Sequence, residues 1–333
     1  MTFLADAAFF RVQMFIFSTL ALVLIGTALL GAAAGAFGAL VNALYRNLDV
    51  DVLAHCTLPG IVVGVLVSGA LGLLTGPQAT LGFGLAAGAL ILLCALGGLA
   101  GASWLLQALS QRIKSALDLD PSAAQATVLG LGFGLTSVLL GIMQSLPGAS
   151  QAGLDRLLIG NAALLTQGDV AVIAALSLAV LVALVVFRRS LWAWSFDAGF
   201  HRLVGGDTRR VQWLFSVLIF VLTLVGVQVV GAVLLIALVT LPSLMLAPLT
   251  RASMFASQLA GGVLGAIGAG LGVWFSAGQL AQHFTQAPQA AQFGLPTGPT
   301  IVLTLLMMFF ALRLAIALWR VLRLRGQRQA AMT

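Results

Sequence analysis

The chain has 333 residues, 61% hydrophobic and only 8% charged, with a mean hydropathy of +1.11, whereas an ordinary soluble domain is roughly a quarter charged. A soluble fold is excluded, and the length divides into apolar runs that each fill a ~30 Å hydrocarbon layer. Lys114 is the only lysine among 16 basic residues and all 9 acidic residues are Asp, so every motif that needs Glu or a second Lys is excluded as well.

The first predicted element follows Met1 to Met14, where Asp6 precedes Arg11. The long apolar run from Phe15 to Val41 lacks a basic leader and exceeds a signal-peptide core, so it reads as an uncleaved span. Further spans are predicted at Val52 to Leu71, Leu81 to Leu106, Ala123 to Met143, Val170 to Phe187, Val211 to Val230, Gly231 to Leu249, Phe255 to Leu280 and Thr300 to Trp319. The expected fold class is therefore an all-α polytopic membrane protein, a single transmembrane domain over residues 1–333 with about nine helices, eight to ten in range. The stretch from Val211 to Leu249 holds no charge and is too long for one helix across a bilayer. Its reversal is expected at Val229-Val-Gly-Ala232, with a broken helix as the alternative.

Basic residues set the orientation. Arg46, Arg112 and Lys114, the group from Arg188 to Arg210, Arg251 and the cluster from Arg320 to Arg328 belong inside, leaving Arg11 and Arg156 outside. The N-terminus is then external and the C-terminus cytoplasmic. The net charge of +7 is that of basic loops beside an anionic leaflet of membrane lipid, and nothing in it calls for nucleic acid. Of the 38 glycines, many recur four residues apart: Gly31 and Gly35, Gly60 and Gly64, Gly97 and Gly101, Gly130 and Gly134, Gly261 and Gly265, Gly268 and Gly272. Such spacing predicts close-packed helix faces.

Chemistry concentrates in Asp49-Val-Asp51-Val-Leu-Ala-His55-Cys56-Thr-Leu-Pro59-Gly60. Asp51 and His55 lie one helical turn apart on a single face, and a carboxylate with an imidazole can ligate a divalent metal. Ionisable groups inside a span usually face a pathway or each other; the alternative is an Asp at a helix N-terminus beside a core His. Asp49 and Cys56 are weaker candidate ligands, Cys56 pointing about 100° from His55 on a helix. Pro59 and Gly60 are expected to bend or break the span just after the pair.

His201 reads as a solvated side chain in a basic loop, and His283, in a Gln- and Pro-rich outer segment, as a surface residue or a weak metal receiver. The methionines Met245, Met307 and Met308 read as packing. Cys56 and Cys94 are too few and too far apart for a disulfide framework. Lys114 follows Ile113, so no Gly-Lys-[Ser/Thr] phosphate loop exists and any ATP drive must come from a partner. His-Glu-x-x-His is impossible without Glu, and no Gly-x-Ser-x-Gly elbow occurs. Catalysis is unsupported, and the chain is not expected to be an enzyme.

In order along the chain, several segments resemble the ABC-3 family of metal ABC-transporter permeases, the membrane subunits of bacterial zinc, manganese and iron importers. They are Asp51-Val-Leu-Ala-His55-Cys-Thr-Leu-Pro59-Gly60, Leu129-Gly-Leu-Gly-Phe-Gly-Leu135, Leu157-Leu-Ile-Gly160-Asn161, Ser195-Phe196-Asp197 with Phe200, Gly205 and Gly206, Gln228-Val-Val-Gly231 through Leu241-Pro242, and Pro296-Thr-Gly298-Pro299. The resemblance implies the ABC importer permease fold in the bacterial cytoplasmic (inner) membrane. It also implies two ABC ATPase subunits, a second permease copy in a homodimer, and an extracytoplasmic metal-binding protein. No permanent cofactor is implied: Zn²⁺, with Mn²⁺ or Fe²⁺ as alternatives, is the cargo. By the same resemblance Asp51 and His55 hold the metal in the path. Residues 188–210 form the cytoplasmic coupling loop, with Phe196, Asp197, Phe200, Arg202, Gly205 and Gly206 docking the ATPase.

Three departures bear on the cargo. Tyr45-Arg46-Asn47-Leu48 and an added Asp49 replace Arg-Arg-Met-Ser, Cys56 replaces Ala, and Leu241-Pro-Ser-Leu-Met245 replaces Leu-Pro-Ala-Ala-Thr. A thiol near the pair favours zinc over manganese. A permease for metal chelates such as haem or a siderophore, and a proton-coupled carrier that needs no ATPase, are the competing transport readings.

Overall fold

The computed structural model describes residues 2–70, 121–145, 167–229, 231–245, 253–277 and 296–330, with short helical stretches between 93 and 108. Among these, every regular element is an α-helix: α1 (Thr2–Ala43), α2 (Asn47–Ala70), α3 (Pro121–Ser145), α4 (Gln167–Val186), α5 (Arg188–Phe196), α6 (Ala198–Leu203), α7 (Thr208–Val229), α8 (Ala232–Met245), α9 (Met254–Ser276) and α10 (Thr297–Ala330). Without water to satisfy the backbone, helices meet the bilayer's demand that each N–H and C=O be bonded internally.

Five of the described helices contain stretches long and apolar enough to cross a membrane, at Ala21–Ala43, Ser122–Ile142, Thr208–Gly226, Met254–Ser276 and Thr297–Trp319. The pair α4 and α5, bent by 68° at Phe187, makes a sixth if it is one broken span. The chain is a multi-pass membrane protein. The expected nine spans include stretches outside the described residues, among them most of Leu81 to Leu106. Arg112, Lys114, Arg156, Arg251, the Leu157-Leu-Ile-Gly160-Asn161 segment and His283 lie outside them too.

Two compact units divide the chain. One comprises Met1–Leu44, Asn161–Thr208 and Ala237–Thr333, and its centre is the packing of α1 on α9. A side-chain carbon on Gly31 would collide with the Gly265 carbonyl, and one on Gly35 with that of Gly261, so the four-residue glycine stripes of the two helices press backbone to backbone. On α10, Ile301 and Leu305 fill the space left by Gly272 and Gly268. Near the end of α1, Asn42 bonds the Thr240 carbonyl at 3.3 Å and the Ser243 hydroxyl, bracing α8 around its internal Pro242. Arg313, inside the last apolar stretch, donates from Nη2 to the Leu244 carbonyl at 3.1 Å and stacks 5.2 Å from the Phe309 ring. An intramembrane charge thus meets a carbonyl in the last turn of α8.

The other unit comprises Tyr45–Gly160 and Arg209–Ile236. Its chain enters through Tyr45, in the left-handed region at φ 54°, and α2 packs mainly against α3. Val62 is buried with Leu66, Leu139 and Leu140 around it. The reversal expected at Val229-Val-Gly-Ala232 is present. Gly231 has φ 94°, open to glycine at little cost, and Leu235 folds back onto Gly226. In a continuous helix those two would stand about 13 Å apart.

Two sequence expectations are corrected here. Of the bend or break expected at Pro59, the break is absent: α2 runs as one helix from Asn47 to Ala70. The carbonyl that Pro59 leaves without its helical donor is that of His55, and the Thr136 hydroxyl of α3 approaches it at 3.5 Å while donating mainly to Gly132 at 2.7 Å. Second, among the described residues of this chain nothing lies within 4 Å of where side chains on Gly130, Gly134, Gly97 and Gly101 would start, so no close contact of these pairs is seen there. The middle glycine, Gly132, makes the tight contact, against Cys56.

Candidate metal site and coupling segment

The first three turns of α2 carry the candidate groups, each with different surroundings. Asp49, almost fully buried, accepts from Arg46 Nε and from Gln125 Nε2, each at 2.5 Å, so both its oxygens are engaged. Arg46 also lies 5.2 Å over the Phe215 ring of α7. The pairing compensates a charge that burial would otherwise make costly, and it ties the start of α2 to α3 and α7.

Asp51 and His55 share the next position on one face, with His55 Nε2 3.5 Å from Asp51 Oδ1. That is beyond a good hydrogen bond, so the two are neighbours without being locked together. The imidazole is 9% exposed and packs edge-on against the Phe133 ring, centroids 5.6 Å apart. Its Nδ1 is buried with no hydrogen-bond partner among the described residues, an unusual condition for a polar atom inside a protein.

Cys56 turns toward α3, where its thiol donates to the Val128 carbonyl at 3.7 Å and rests on Gly132. Asp49 faces Arg46 and Gln125. Among the described residues no three His, Cys, Asp or Glu side chains gather into a metal-holding group. The structure therefore brings Asp51 and His55 together and directs Asp49 and Cys56 to other partners.

Residues 188–210, expected as a loop, are largely helical. After the bend at Phe187, α5 buries Leu191 and Trp194 and ends at Asp197. The Asp197 carboxylate accepts from the Gly199 and Phe200 amides at 2.7 and 3.1 Å, capping α6. Arg202 Nε donates to the Thr208 hydroxyl at 3.2 Å. Gly205 then adopts φ 84° and brings Gly206 onto the His201 ring, where a side-chain carbon would collide. His201, expected to be solvated, is instead buried beneath this turn with Nε2 unpartnered; the turn's fold-back covers it. Phe196 is 79% exposed, and Phe200, Leu203 and Val204 are exposed beside it. The segment thus presents an apolar surface on a capped, tightly turned frame.

Residues 16–316 match the model of the ABC 3 transport family. The chain belongs to that family. It is 32% identical over 290 residues to the zinc transport system membrane protein TroC of Treponema pallidum, covering 86% of this chain and 85% of the relative. It is 31% identical over 287 residues to the manganese transport system membrane protein MntC of Bacillus subtilis, covering 86% of this chain and 58% of that longer relative. In fold it resembles PsaBC from Streptococcus pneumoniae, solved in complex with Fab, with a TM-score of 0.69 at 21% identity over 92% of this chain and 95% of that one.

Sequence reasoning missed Gln125 as the partner of Asp49, Arg313 as an intramembrane cation and the burial of His201. A glutamine five positions into an apolar helix and an arginine inside the last predicted span were the available signals.

Proposed function

We propose that this chain is the membrane permease of an ATP-driven importer for a divalent transition metal, with zinc as the first cargo and manganese or iron as the alternatives. The observation that carries the reading is the buried His55 imidazole with an unpartnered Nδ1, one turn from Asp51, on a helix of an ABC 3 family chain. The names of the two relatives, one a zinc and one a manganese system protein, support the metal class. Cys56, one residue from His55, turns to the Val128 carbonyl and Gly132 instead and does not decide between the metals.

Two ligands suit transport better than a closed cage. A four-ligand zinc site holds its ion outright, whereas conduction requires that an ion enter and leave. An imidazole nitrogen and a carboxylate, with water or a second copy completing the shell, stabilise a partly dehydrated cation without trapping it. An extracytoplasmic binding protein delivers the ion to this pair.

The energy comes from separate ABC ATPase chains. Phe196, Phe200 and the neighbouring Leu203 and Val204 offer them an apolar dock, while Asp197, Gly205 and Gly206 keep the α5–α6 corner stiff enough to transmit movement to α4 and α7. Arg202 holds the corner to Thr208. A second copy of the permease completes the importer in the inner membrane.

The test is uptake of radioactive zinc and manganese, in competition, by vesicles holding the chain with its ATPase. ATP-dependent uptake of one ion identifies the cargo. Uptake of neither ion, nor of ferrous iron offered in the same vesicles, favours a chelate permease, and uptake driven by a proton gradient alone favours a secondary carrier; either result overturns the proposal.

A further inference from the structure

Away from the metal pair, a half-open groove of 270 Å³ runs between α1, α4 and α9 within the first unit. Among the described residues its lining is apolar except at one end, where Arg188 and Gln258 are the only polar residues. Ala32, Ala36 and Gly262 form a shallow floor, and the walls include the exposed Val185, Leu259 and Val263. At roughly 30 Å³ per water-sized group the space takes about nine methylenes.

The polar end consists of donors alone. Arg188, at the 68° bend, lies 5.8 Å over the Phe255 ring, which also meets the Trp192 ring at 6.2 Å. Gln258 is 7% exposed, and its Oε1 accepts from Trp192 Nε1 at 3.2 Å. An indole nitrogen can only donate, so this contact fixes the amide's orientation and leaves Nε2 as the free end. That Nε2 is buried and has no partner among the described residues. A guanidinium and an unsatisfied amide, at one end of an apolar groove with no acidic residue in its lining, are the complement of an anionic head on a hydrocarbon tail.

We infer that this groove binds an anionic phospholipid. One acyl chain lies along Val185, Leu259 and Val263, and the headgroup phosphate accepts from Arg188 and Gln258 Nε2. Arg189, exposed next along the chain, adds to the positive field at that end, and basic residues at a membrane surface favour anionic lipid. The lipid would brace the bend between α4 and α5, the element that leads into the coupling corner. This inference rests on no assignment of the transported ion.

The experiment is native mass spectrometry of the full chain, stripped of lipid in detergent and offered phosphatidylglycerol or phosphatidylcholine with identical acyl chains. The expected result is one retained phosphatidylglycerol per chain with about a five-fold preference over phosphatidylcholine, the scale of one basic contact. Arg188→Gln removes the preference, Arg188→Lys keeps it, and Val263→Trp, which fills the groove from its exposed wall, loses both lipids without lowering the unfolding temperature. Equal retention of the two lipids by the wild type, or an undiminished preference in Arg188→Gln, overturns the inference. Displacement of phosphatidylglycerol by excess inorganic phosphate marks a free-anion site and also overturns it. So does disulfide trapping between two chains carrying Val263→Cys on a Cys56→Ala, Cys94→Ala background, because the groove is then covered by a second copy.

Discussion

Gly132 lies directly beneath Cys56: a side-chain carbon on the glycine would stand 2.6 Å from the Cys56 sulfur and 3.4 Å from its backbone. That contact sets how closely α3 approaches α2, and α3 carries both Phe133, which packs on the His55 ring, and Thr136, which approaches the His55 carbonyl. The geometry of the Asp51 and His55 pair therefore depends on a residue with no chemistry of its own. Gly132→Ala should overpack this contact and destabilise the protein by about 1–3 kcal/mol. Adding Cys56→Ala should recover much of the loss. Thermal unfolding of the two single variants and the double variant measures the coupling, and strict additivity would contradict the contact.

The glycine stripes make a paired prediction. Gly31→Ala and Gly265→Ala drive a carbon into a facing backbone carbonyl that cannot swing aside, so both should unfold at markedly lower temperature or fail to accumulate in membranes. Gly130→Ala, with open space in front of it, should stay within about 0.5 kcal/mol of the wild type. Equal losses at all three positions would mean that helix flexibility, and not close approach, is what the glycines supply.

Asp197 provides a separation of roles. As the cap of α6 it accepts two amide hydrogens, so Asp197→Ala should cost about 1 kcal/mol and loosen the corner, while Asp197→Asn, which caps equally well, should leave stability and coupled ATP hydrolysis near normal. If Asp197→Asn uncouples as fully as Asp197→Ala, the negative charge itself contacts the ATPase.

Arg313 should be hard to replace. Arg313→Met removes the donor to the Leu244 carbonyl, and hydrogen bonds from charged groups contribute about 1.5–3 kcal/mol. Thermal unfolding should fall accordingly; an unchanged transition would show that α8 satisfies its terminal carbonyls by other means.

Much of this arrangement was legible in the sequence because it is local. The i, i+4 spacing of Asp51 and His55 fixes a shared helix face, and a charge-free stretch too long for one span, with a glycine near its middle, forecasts the turn at Gly231. What was not legible depends on a neighbour. Four-residue glycine spacing identifies a smooth face but not what lies across it, so the stripe of α1 meets α9 while Gly130 and Gly134 meet none of the described residues. Pro59 looked like a break because the partner helix beside its freed carbonyl is far away in sequence. His201 looked solvated because only the fold-back at Gly205 and Gly206 covers it. Gln258 and Arg188 carried no motif at all.

The most direct test of the metal path is ATP-dependent zinc uptake by vesicles carrying Asp51→Ala or His55→Ala permease, at matched protein amounts and with unfolding temperatures recorded beside the wild type. Loss of partners that merely orient a ligand costs 10–100-fold in metal affinity, so removing a ligand should lower uptake by at least about tenfold in each variant while the folded protein persists. Wild-type uptake by both variants would contradict the assignment of Asp51 and His55 to the path.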